Sequence, residues 1–163
     1  MVKRIGMRRL AAFAAAAALV LGLVGCGGAQ STAQVNTEPV NLSVWTYYNG
    51  DQLESFNKLV DTFNNTVGKE KNIPVESYSQ VSVNDLETQV MAAAQGKVGA
   101  SAMPNIFMAY ADTAYAMDQM DELADLAPYF TDEERAAYVD SYLTEGDFDD
   151  SGSIKIFPVA KST

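Results

Sequence analysis

From residue 40 onwards, the spacing of apolar positions switches between the two periods that distinguish strands from helices. Residues 40–44 alternate apolar and polar side chains, which predicts a β-strand. Apolar residues then recur at helical spacing over residues 51–67, which predicts a helix. Asp51 and Glu54 have the spacing of a capping box at its start, and Gly68 is a typical stop. The patterned part of the chain therefore begins with a strand, an aromatic loop and a helix.

The same order of elements repeats further along the chain. The run over residues 104–109 is apolar without alternation, which is typical of a parallel strand covered on both faces. The predicted elements are a strand over 73–78, a helix over 84–95, a strand over 104–109, a short helix over 112–117 capped by Asp112, a helix from the capping box Thr131–Glu134 to Leu143, and a strand over 153–159.

Strands that alternate with helices indicate βαβ units, and so an α/β fold with a mostly parallel sheet flanked by helices. Ligands bind such sheets beyond the carboxyl ends of the strands. Three loops follow the predicted strands there: Trp45–Gly50, Ser79–Asn84 and Ala109–Thr113. We expect a binding site where these loops meet.

The N-terminal stretch has a different character from the rest. Basic residues at positions 3, 4, 8 and 9 precede an uncharged apolar run over residues 10–24. The run is shorter than the roughly 20 residues that cross a bilayer core. A basic start, a short apolar centre and small residues at the end are typical of a secretory signal peptide, which we assign to residues 1–25.

That segment ends in Leu23-Val24-Gly25-Cys26, which resembles the lipobox of bacterial lipoproteins. The resemblance implies that the Cys26 thiol carries lipid, that the chain is cut just before it, and that the protein is anchored at the extracytoplasmic face of the cell membrane. The alternative is an ordinary signal peptide with a chance cysteine. Residues 26–39 are then small and polar, which predicts a flexible tether.

Composition narrows the classes of function. The chain has a net charge of −10, and after residue 25 seven basic residues stand against 21 acidic ones, a net charge of −14. Such a surface repels nucleic acid. The sequence has no histidine and a single cysteine, which excludes disulfides within the chain, the usual zinc sites and Cys-His or Ser-His nucleophiles. We therefore expect neither a metal nor another cofactor.

Residues 147–154 are similar to the start of an EF-hand calcium loop, with acids at the first and third positions and Gly152 at the sixth. The twelfth position is Pro158, where a calcium loop needs a bidentate glutamate. The segment is better interpreted as a polar turn.

Four short motifs occur in one order along the chain: Leu42-Ser-Val-Trp45 after a polar linker, Phe63-Asn64, the run 104–112, and the run 157–163. Together with the lipobox they resemble the extracellular solute-binding proteins of ABC importers, in the carbohydrate-type group. The resemblance implies a monomer without catalysis, whose two α/β lobes close on a solute and then dock on a membrane permease. Members are far longer than this chain, so residues 40–163 would form a first lobe that lacks its partner.

The resemblance and the aromatic loop point to the same candidate ligand contacts. Trp45, Tyr47 and Tyr48 offer ring faces on which the C–H faces of a sugar pack, and Asn49 offers an amide for its hydroxyls. The alternative for Trp45 is a core position on the strand face opposite Leu42 and Val44.

Three further residues follow from the family pattern. Asp112 comes just after the third predicted strand, and its carboxylate can accept two hydroxyl hydrogen bonds; a plain helix cap is its other role. Tyr110 lies beside it, and Ser162 lies near the expected crossing to a second lobe.

Two other classes of function remain open at this point. One is a lipid-anchored interaction module that keeps the fold without a role in transport. The other is a glycan-processing enzyme, which needs a pair of carboxylates facing one cleft.

Overall fold

The computed structural model describes residues 38–160. The signal peptide, the lipobox with Cys26, nearly all of the predicted tether and Ser162 lie outside the described residues. The helices are α1 (Gly50–Asn65), α2 (Val67–Lys71), α3 (Val83–Ala94), α4 (Ala111–Asp118), α5 (Asp132–Ala136) and α6 (Asp140–Leu143). The strands are β1 (Leu42–Thr46), β2 (Val75–Ser79) and β3 (Ile106–Phe107), and short 3₁₀ turns cover Ala127–Tyr129 and Thr144–Gly146. No helix within residues 38–160 is long and apolar enough to span a bilayer.

The three strands form one parallel sheet in the order β2-β1-β3. Trp45 of β1 lies beside Tyr78 of β2 on one side and Phe107 of β3 on the other. The chain leaves β1 for one neighbour and then crosses to the other, as in an open α/β sheet. This confirms the predicted fold class, a parallel sheet flanked by helices, and brings the carboxyl ends of all three strands to one edge.

Helices cover the two faces of β1. Trp45 forms a buried cluster with Leu86 and Val90 of α3 and Met117 of α4. Val44 alternates with Trp45 and lies beside Ser77 of β2, so both point to the opposite face. There the Ser77 hydroxyl donates a 2.5 Å hydrogen bond to Asn57 Oδ1 of α1. The central strand is therefore enclosed by α1 on one face and by α3 and α4 on the other.

The bounds of β1 and β3 differ from the predicted ones. β1 begins at Leu42 and runs through Thr46, so Trp45 and Thr46 belong to the strand and not to the loop after it. β3 has two residues, and Ile106 is 50% exposed. The prediction of a long third strand covered on both faces was wrong because β3 lies at the edge of the described sheet, with β1 as its one partner there.

The start and end of α1 also differ from the prediction. The residue before the helix is Asn49, and Asp51 lies inside the first turn. Glu54 reaches forward to Lys58 Nζ at 2.7 Å, so it completes no capping box with Asp51. Gly68 lies within α2 and does not end α1; the chain turns instead at Asn72, which has a left-handed conformation.

Asp112 is likewise not the cap of α4. Tyr110 is the extended residue before that helix, and Asp112 is its second residue. By contrast, the predicted capping box is confirmed at α5: the Thr131 hydroxyl accepts from Glu134 N at 3.2 Å, and Glu134 Oε2 accepts from Thr131 N at 2.9 Å. This bond to Thr131 lowers the pKa of the Glu134 carboxyl.

Side-chain hydrogen bonds and an ion pair stabilise the region after α4. The predicted helix that reaches Leu143 forms as the two short helices α5 and α6. The predicted strand over residues 153–159 does not form within the described residues. Instead, Asp125 Oδ1 accepts hydrogen bonds from Ile154 N and Ala127 N, both at 2.9 Å, and these bonds lower the pKa of Asp125. Lys155 adds an ion pair to Asp118 at 3.3 Å.

The calcium-like segment is a polar turn. The Asp147 carboxylate accepts from Ser151 N at 3.0 Å and from Gly152 N at 2.8 Å, so its oxygens are engaged by the backbone of the turn. Within the part of the chain that the structure describes, no group of three or more metal-ligating side chains is found.

Candidate functional site

The loops that follow the three strands meet at the carboxyl edge of the sheet. Gln80 N, just after β2, donates to Thr46 O at 2.7 Å. Met108 N, just after β3, donates to Trp45 O at 3.0 Å. Both flanking loops therefore begin against the end of β1, as the predicted parallel order requires.

Side chains then join the first two loops. Ser79 Oγ donates to Tyr48 O at 2.5 Å, and Asn49 Nδ2 donates to Val81 O at 3.1 Å. Val81 has a φ of 70°, an unusual conformation for a β-branched residue. Its own N–H donates to Ser79 Oγ at 3.1 Å. The loop after β2 is thus held in a strained shape against the aromatic loop, a feature that concentrates at functional sites.

Three tyrosines gather at this edge. The rings of Tyr47 and Tyr48 make an edge-to-face contact with centroids 5.3 Å apart, and Tyr48 contacts Phe56 of α1 in the same way at 5.6 Å. Burial raises the pKa of Tyr47, and the nearby phenols of Tyr48 and Tyr110 raise it further. The phenol of Tyr110, from the loop after β3, is therefore near that of Tyr47, and Tyr110 is 52% exposed.

Trp45 does not join the tyrosines at the surface. Its side chain is only 7% exposed and packs within the core cluster. The structure thus places it in the core position that the alternation along β1 left as the alternative. Trp45 belongs to the buried cluster against which Tyr47 packs, so it helps to position Tyr47.

Asp112 is exposed in the first turn of α4. One carboxylate oxygen, Oδ1, accepts from Thr113 N at 2.8 Å. The dipole of α4 favours a negative charge at this position. Its second oxygen has no hydrogen-bond partner among residues 38–160, and neither has the amide oxygen of Asn49.

The three loops carry a negative charge and no positive charge. Asp112 is the one charged residue within residues 45–50, 79–84 and 109–113, which hold neither lysine nor arginine. Ring faces, a carboxylate and an amide oxygen can take a ligand that has apolar C–H surface and hydrogen-bond donors. They offer no cation to an anionic group.

Some residues at this edge were predicted from the sequence, and others were not. Tyr47, Tyr48, Asn49, Tyr110 and Asp112 are brought together at one edge as predicted, although their contact with a ligand stays a prediction. Sequence reasoning missed Ser79 and Val81. A β-branched residue between Gln80 and Ser82, just after a strand, gives little local signal of a left-handed conformation.

A second hollow, of about 380 Å³, lies in the region after α4 and is lined by Tyr129, Phe130, Glu134, Ala137, Tyr138 and Phe157. The rings of Phe130, Tyr138 and Phe157 pack on one another there, with those of Phe130 and Phe157 stacked at a centroid distance of 5.9 Å. Its one charged residue, Glu134, is already engaged in the capping box of α5. The strand-end loops are the stronger candidate site, because their polar groups remain available.

An open parallel sheet with polar and aromatic loops at its carboxyl edge defines a small-molecule binding domain of the α/β class. The family model for bacterial extracellular solute-binding proteins matches residues 58–163, about two thirds of the chain. The chain therefore belongs to that family. No curated protein matches it.

Two solved structures share the fold. One is the cyclic α-maltosyl-1,6-maltose binding protein from Arthrobacter globiformis, with 23% identity and a TM-score of 0.57 over 68% of this chain and 26% of that one. The other is CpMnBP1 with mannotriose bound, with 15% identity and a TM-score of 0.52 over 71% and 27% of the two chains. The chain spans about a quarter of the length of each of these proteins.

Proposed function

We propose that this protein is the substrate-binding component of an importer and that it captures a neutral sugar at the carboxyl edge of its sheet. The observation that carries the proposal is the gathering of Tyr47, Tyr48, Tyr110 and Asp112 at that edge, without a basic residue in the loops. Membership of the solute-binding family supports the binding role. The names of the two similar structures, a maltose-type and a mannotriose-bound protein, support a carbohydrate as the ligand.

Each group has a distinct part in this proposal. The exposed Tyr110 ring offers a face to the C–H side of a pyranose, and Tyr47 and Tyr48 lie in the loop after β1 at the same edge. The free oxygen of Asp112 accepts a hydrogen bond from a sugar hydroxyl, and the Asn49 amide oxygen accepts another. No bond is made or broken, so the protein acts by binding and not as an enzyme.

Transport and anchoring are further parts of the same proposal. Cys26 would hold the protein at the outer face of the membrane through its lipid, with residues 26–39 as the tether. Residues 40–163 would form a first lobe, and the ligand would be enclosed between it and a second lobe. The closed form would then deliver the sugar to the permease of an ABC importer.

Calorimetric titration of the full-length protein, as its whole reading frame encodes it, tests the proposal. The probes are glucose, maltose, maltotriose, mannose, mannobiose and mannotriose. Asp112→Asn should weaken binding of the best probe by about tenfold or more, because hydrogen bonds to a charged group contribute about 1.5–3 kcal/mol. Tyr110→Ala should weaken it by a smaller factor, because an aromatic contact contributes about 1 kcal/mol.

Tyr129→Ala is the matched control, since Tyr129 is 81% exposed and lies outside the strand-end loops. It should bind the probes as the wild type does. Absence of heat with every sugar would overturn the carbohydrate proposal. Equal losses for Tyr110→Ala and Tyr129→Ala would place the ligand elsewhere.

A further inference from the structure

Asn49 and Gly50 are the single Asn-Gly pair in the sequence, and they lie where the loop after β1 passes into α1. In such a pair the backbone nitrogen of the glycine reaches the asparagine side chain readily, because glycine has no Cβ atom to obstruct the approach. We propose that Asn49 is a site of spontaneous deamidation and that the reaction loosens the contact between the loops after β1 and β2.

The reaction consumes water and releases ammonia, and it needs no other reagent. Hydroxide removes the proton from Gly50 N, which forms a bond to Cγ of Asn49 while the bond between Cγ and Nδ2 breaks. The leaving nitrogen takes a proton from water, which restores the hydroxide, and departs as ammonia. Water then adds to Cγ or to the backbone carbonyl carbon of Asn49 and breaks its bond to Gly50 N. The first route gives aspartate, and the second gives isoaspartate, whose main chain runs through the former side chain.

The atoms that react are accessible. Asn49 and Gly50 are both exposed, so water and hydroxide reach them. Gly50 is the first residue of α1, where a backbone N–H has no acceptor inside the helix, and the chain between residues 38 and 160 supplies no other acceptor for it. The extended ψ of 170° at Asn49 must rotate to bring Gly50 N to Cγ. A Cβ atom at Gly50 would meet nothing within 4 Å, so there is open space for that movement.

Two other asparagines show a contrasting environment. Asn64 is bonded through both its Nδ2 and its Oδ1, and Oδ1 of Asn105 accepts two hydrogen bonds. Each of them is followed by a residue with a side chain. The Asn49 amide makes one hydrogen bond within the described part of the chain, from Nδ2 to Val81 O at 3.1 Å. Asn49 should therefore react before Asn64 and Asn105.

The product cannot keep the hydrogen bond that joins the two loops. An ionised carboxylate accepts hydrogen bonds but donates none, so an aspartate formed at this position leaves Val81 O without its donor. The Asn49 side chain makes no capping bond to α1, whereas a carboxylate in front of a helix is attracted by the free N–H groups and the dipole there. The new carboxylate should therefore turn from Val81 to α1.

Val81 is the residue on which this change acts. Its φ of 70° is costly for a β-branched residue, and the bond from Asn49 is one of the contacts that hold it in place. After deamidation, Val81 N still donates to Ser79 Oγ, and Ser79 Oγ still donates to Tyr48 O. We therefore expect the loop after β2 to keep its average position but to open more often.

Peptide mapping by mass spectrometry tests the modification. The full-length protein, as its whole reading frame encodes it, is incubated at mildly alkaline pH, folded and in parallel unfolded in urea. Each conversion adds about 1 Da to a peptide. In the folded protein the mass gain should appear at Asn49 before any other asparagine, as separable aspartate and isoaspartate products. Faster conversion of another asparagine overturns the inference, as does an Asn49 that stays intact in the folded protein while it converts in the unfolded one.

Two variants test the chemistry. Gly50→Ala adds the obstructing Cβ atom and should slow conversion at Asn49 by about tenfold or more. Because alanine is strained at the Gly50 φ of 51°, Asn49→Gln is the second variant. Its longer side chain closes the corresponding ring less readily, so mass gain at this position should also fall by about tenfold or more. Unchanged rates in both variants would contradict attack by Gly50 N.

Hydrogen exchange tests the consequence for the loop. Asn49→Asp supplies the product without the reaction, and the Val81 amide should exchange faster in it by about threefold or more. Asn65→Asp is the matched control, since it adds the same charge at an exposed position of α1, and it should leave Val81 exchange unchanged. Unchanged exchange in Asn49→Asp, or equal acceleration in both variants, would refute the loosening. Neither measurement uses a ligand, so the proposed function is tested separately.

Discussion

The Asn64 side chain at the end of α1 takes the place of a neighbouring strand for β2. Its Nδ2 donates to Val75 O at 2.8 Å, and its Oδ1 accepts from Val75 N at 2.8 Å. Leu42 N of β1 donates to Pro74 O, and in a parallel ladder the paired residue, Val75, then directs its own N–H and C=O to the outer edge. Asn64 therefore satisfies both backbone groups at the point where the edge strand begins.

Removing this amide should destabilise the protein measurably. Asn64→Ala deletes two hydrogen bonds, each of which contributes about 0.5–1.5 kcal/mol net. Val75 is half-buried, so water replaces the lost partner only in part. We expect a loss of about 1–3 kcal/mol in the free energy of unfolding. At a denaturant slope of about 2 kcal/mol per molar urea, the midpoint falls by about 0.5–1.5 M.

Urea denaturation followed by circular dichroism measures the midpoint. Asn65→Ala is the matched control: Asn65 is exposed, and its side chain donates within its own helix to Asp61 O at 2.7 Å. That variant should change the free energy of unfolding by less than about 0.5 kcal/mol. Hydrogen exchange gives a local readout, because the Val75 amide should lose protection in Asn64→Ala. Equal midpoints for the two variants, with the Val75 amide still protected, would refute the reasoning.

Three other changes have defined outcomes. The pKa of Asp125 is lowered in the folded protein because Ile154 N donates a hydrogen bond to its carboxylate. The stabilisation from this bond is therefore present above the unfolded pKa of about 4 and is lost as pH falls through the folded pKa. Asp125→Asn should show a smaller drop in urea midpoint between pH 5 and pH 3 than the wild type, and an equal drop would contradict this. Gly146→Ala would place a Cβ atom 2.7 Å from Ile156 N, so the backbone must shift. The free energy of unfolding should therefore fall by about 1–3 kcal/mol, which is measured as a lower Tm. An unchanged Tm would show that this contact relaxes freely. Cys26→Ser should move the protein from the membrane fraction to the soluble fraction, and retention in the membrane would exclude the lipid anchor.

The order of elements was predictable because it depends on local periodicity. Alternation over residues 40–44 and helical spacing over 51–67 report which faces of each segment become apolar, and both elements form. Their ends were less predictable, because pairing with other strands sets them. β1 extends through Thr46 because β2 continues opposite it, with Trp45 beside Tyr78 and Thr46 beside Ser79.

Helix caps, too, were predictable where only local residues are involved and not where a further partner competes. Thr131 and Glu134 form their box as predicted, since both partners lie within one turn and compete with no other group. Asp51 and Glu54 have a similar spacing, but the helix begins at Gly50 and Lys58 engages Glu54. Spacing alone does not show which of two nearby partners a carboxylate takes.

The gathering of the candidate site was predictable from topology, but the exposure of its members was not. Parallel strands direct their following loops to one edge, so Tyr47 and Tyr110 come together although they are 63 positions apart. Whether each ring faces solvent depends on the helices packed beneath. Trp45 is buried because α3 and α4 cover its face of β1.

The sequence by itself determined the α/β order, the acidic balance, the absence of basic residues from the three loops and the resemblance to solute-binding proteins that the family match bears out. These properties are local or additive along the chain, so no contact between distant residues is needed to infer them. The tertiary structure decided that Trp45 lies in the core, that β3 is a short edge strand and that Asn64 completes β2. Each of these depends on which distant segments pack together, and packing is set by the whole of the core and not by any one stretch of sequence.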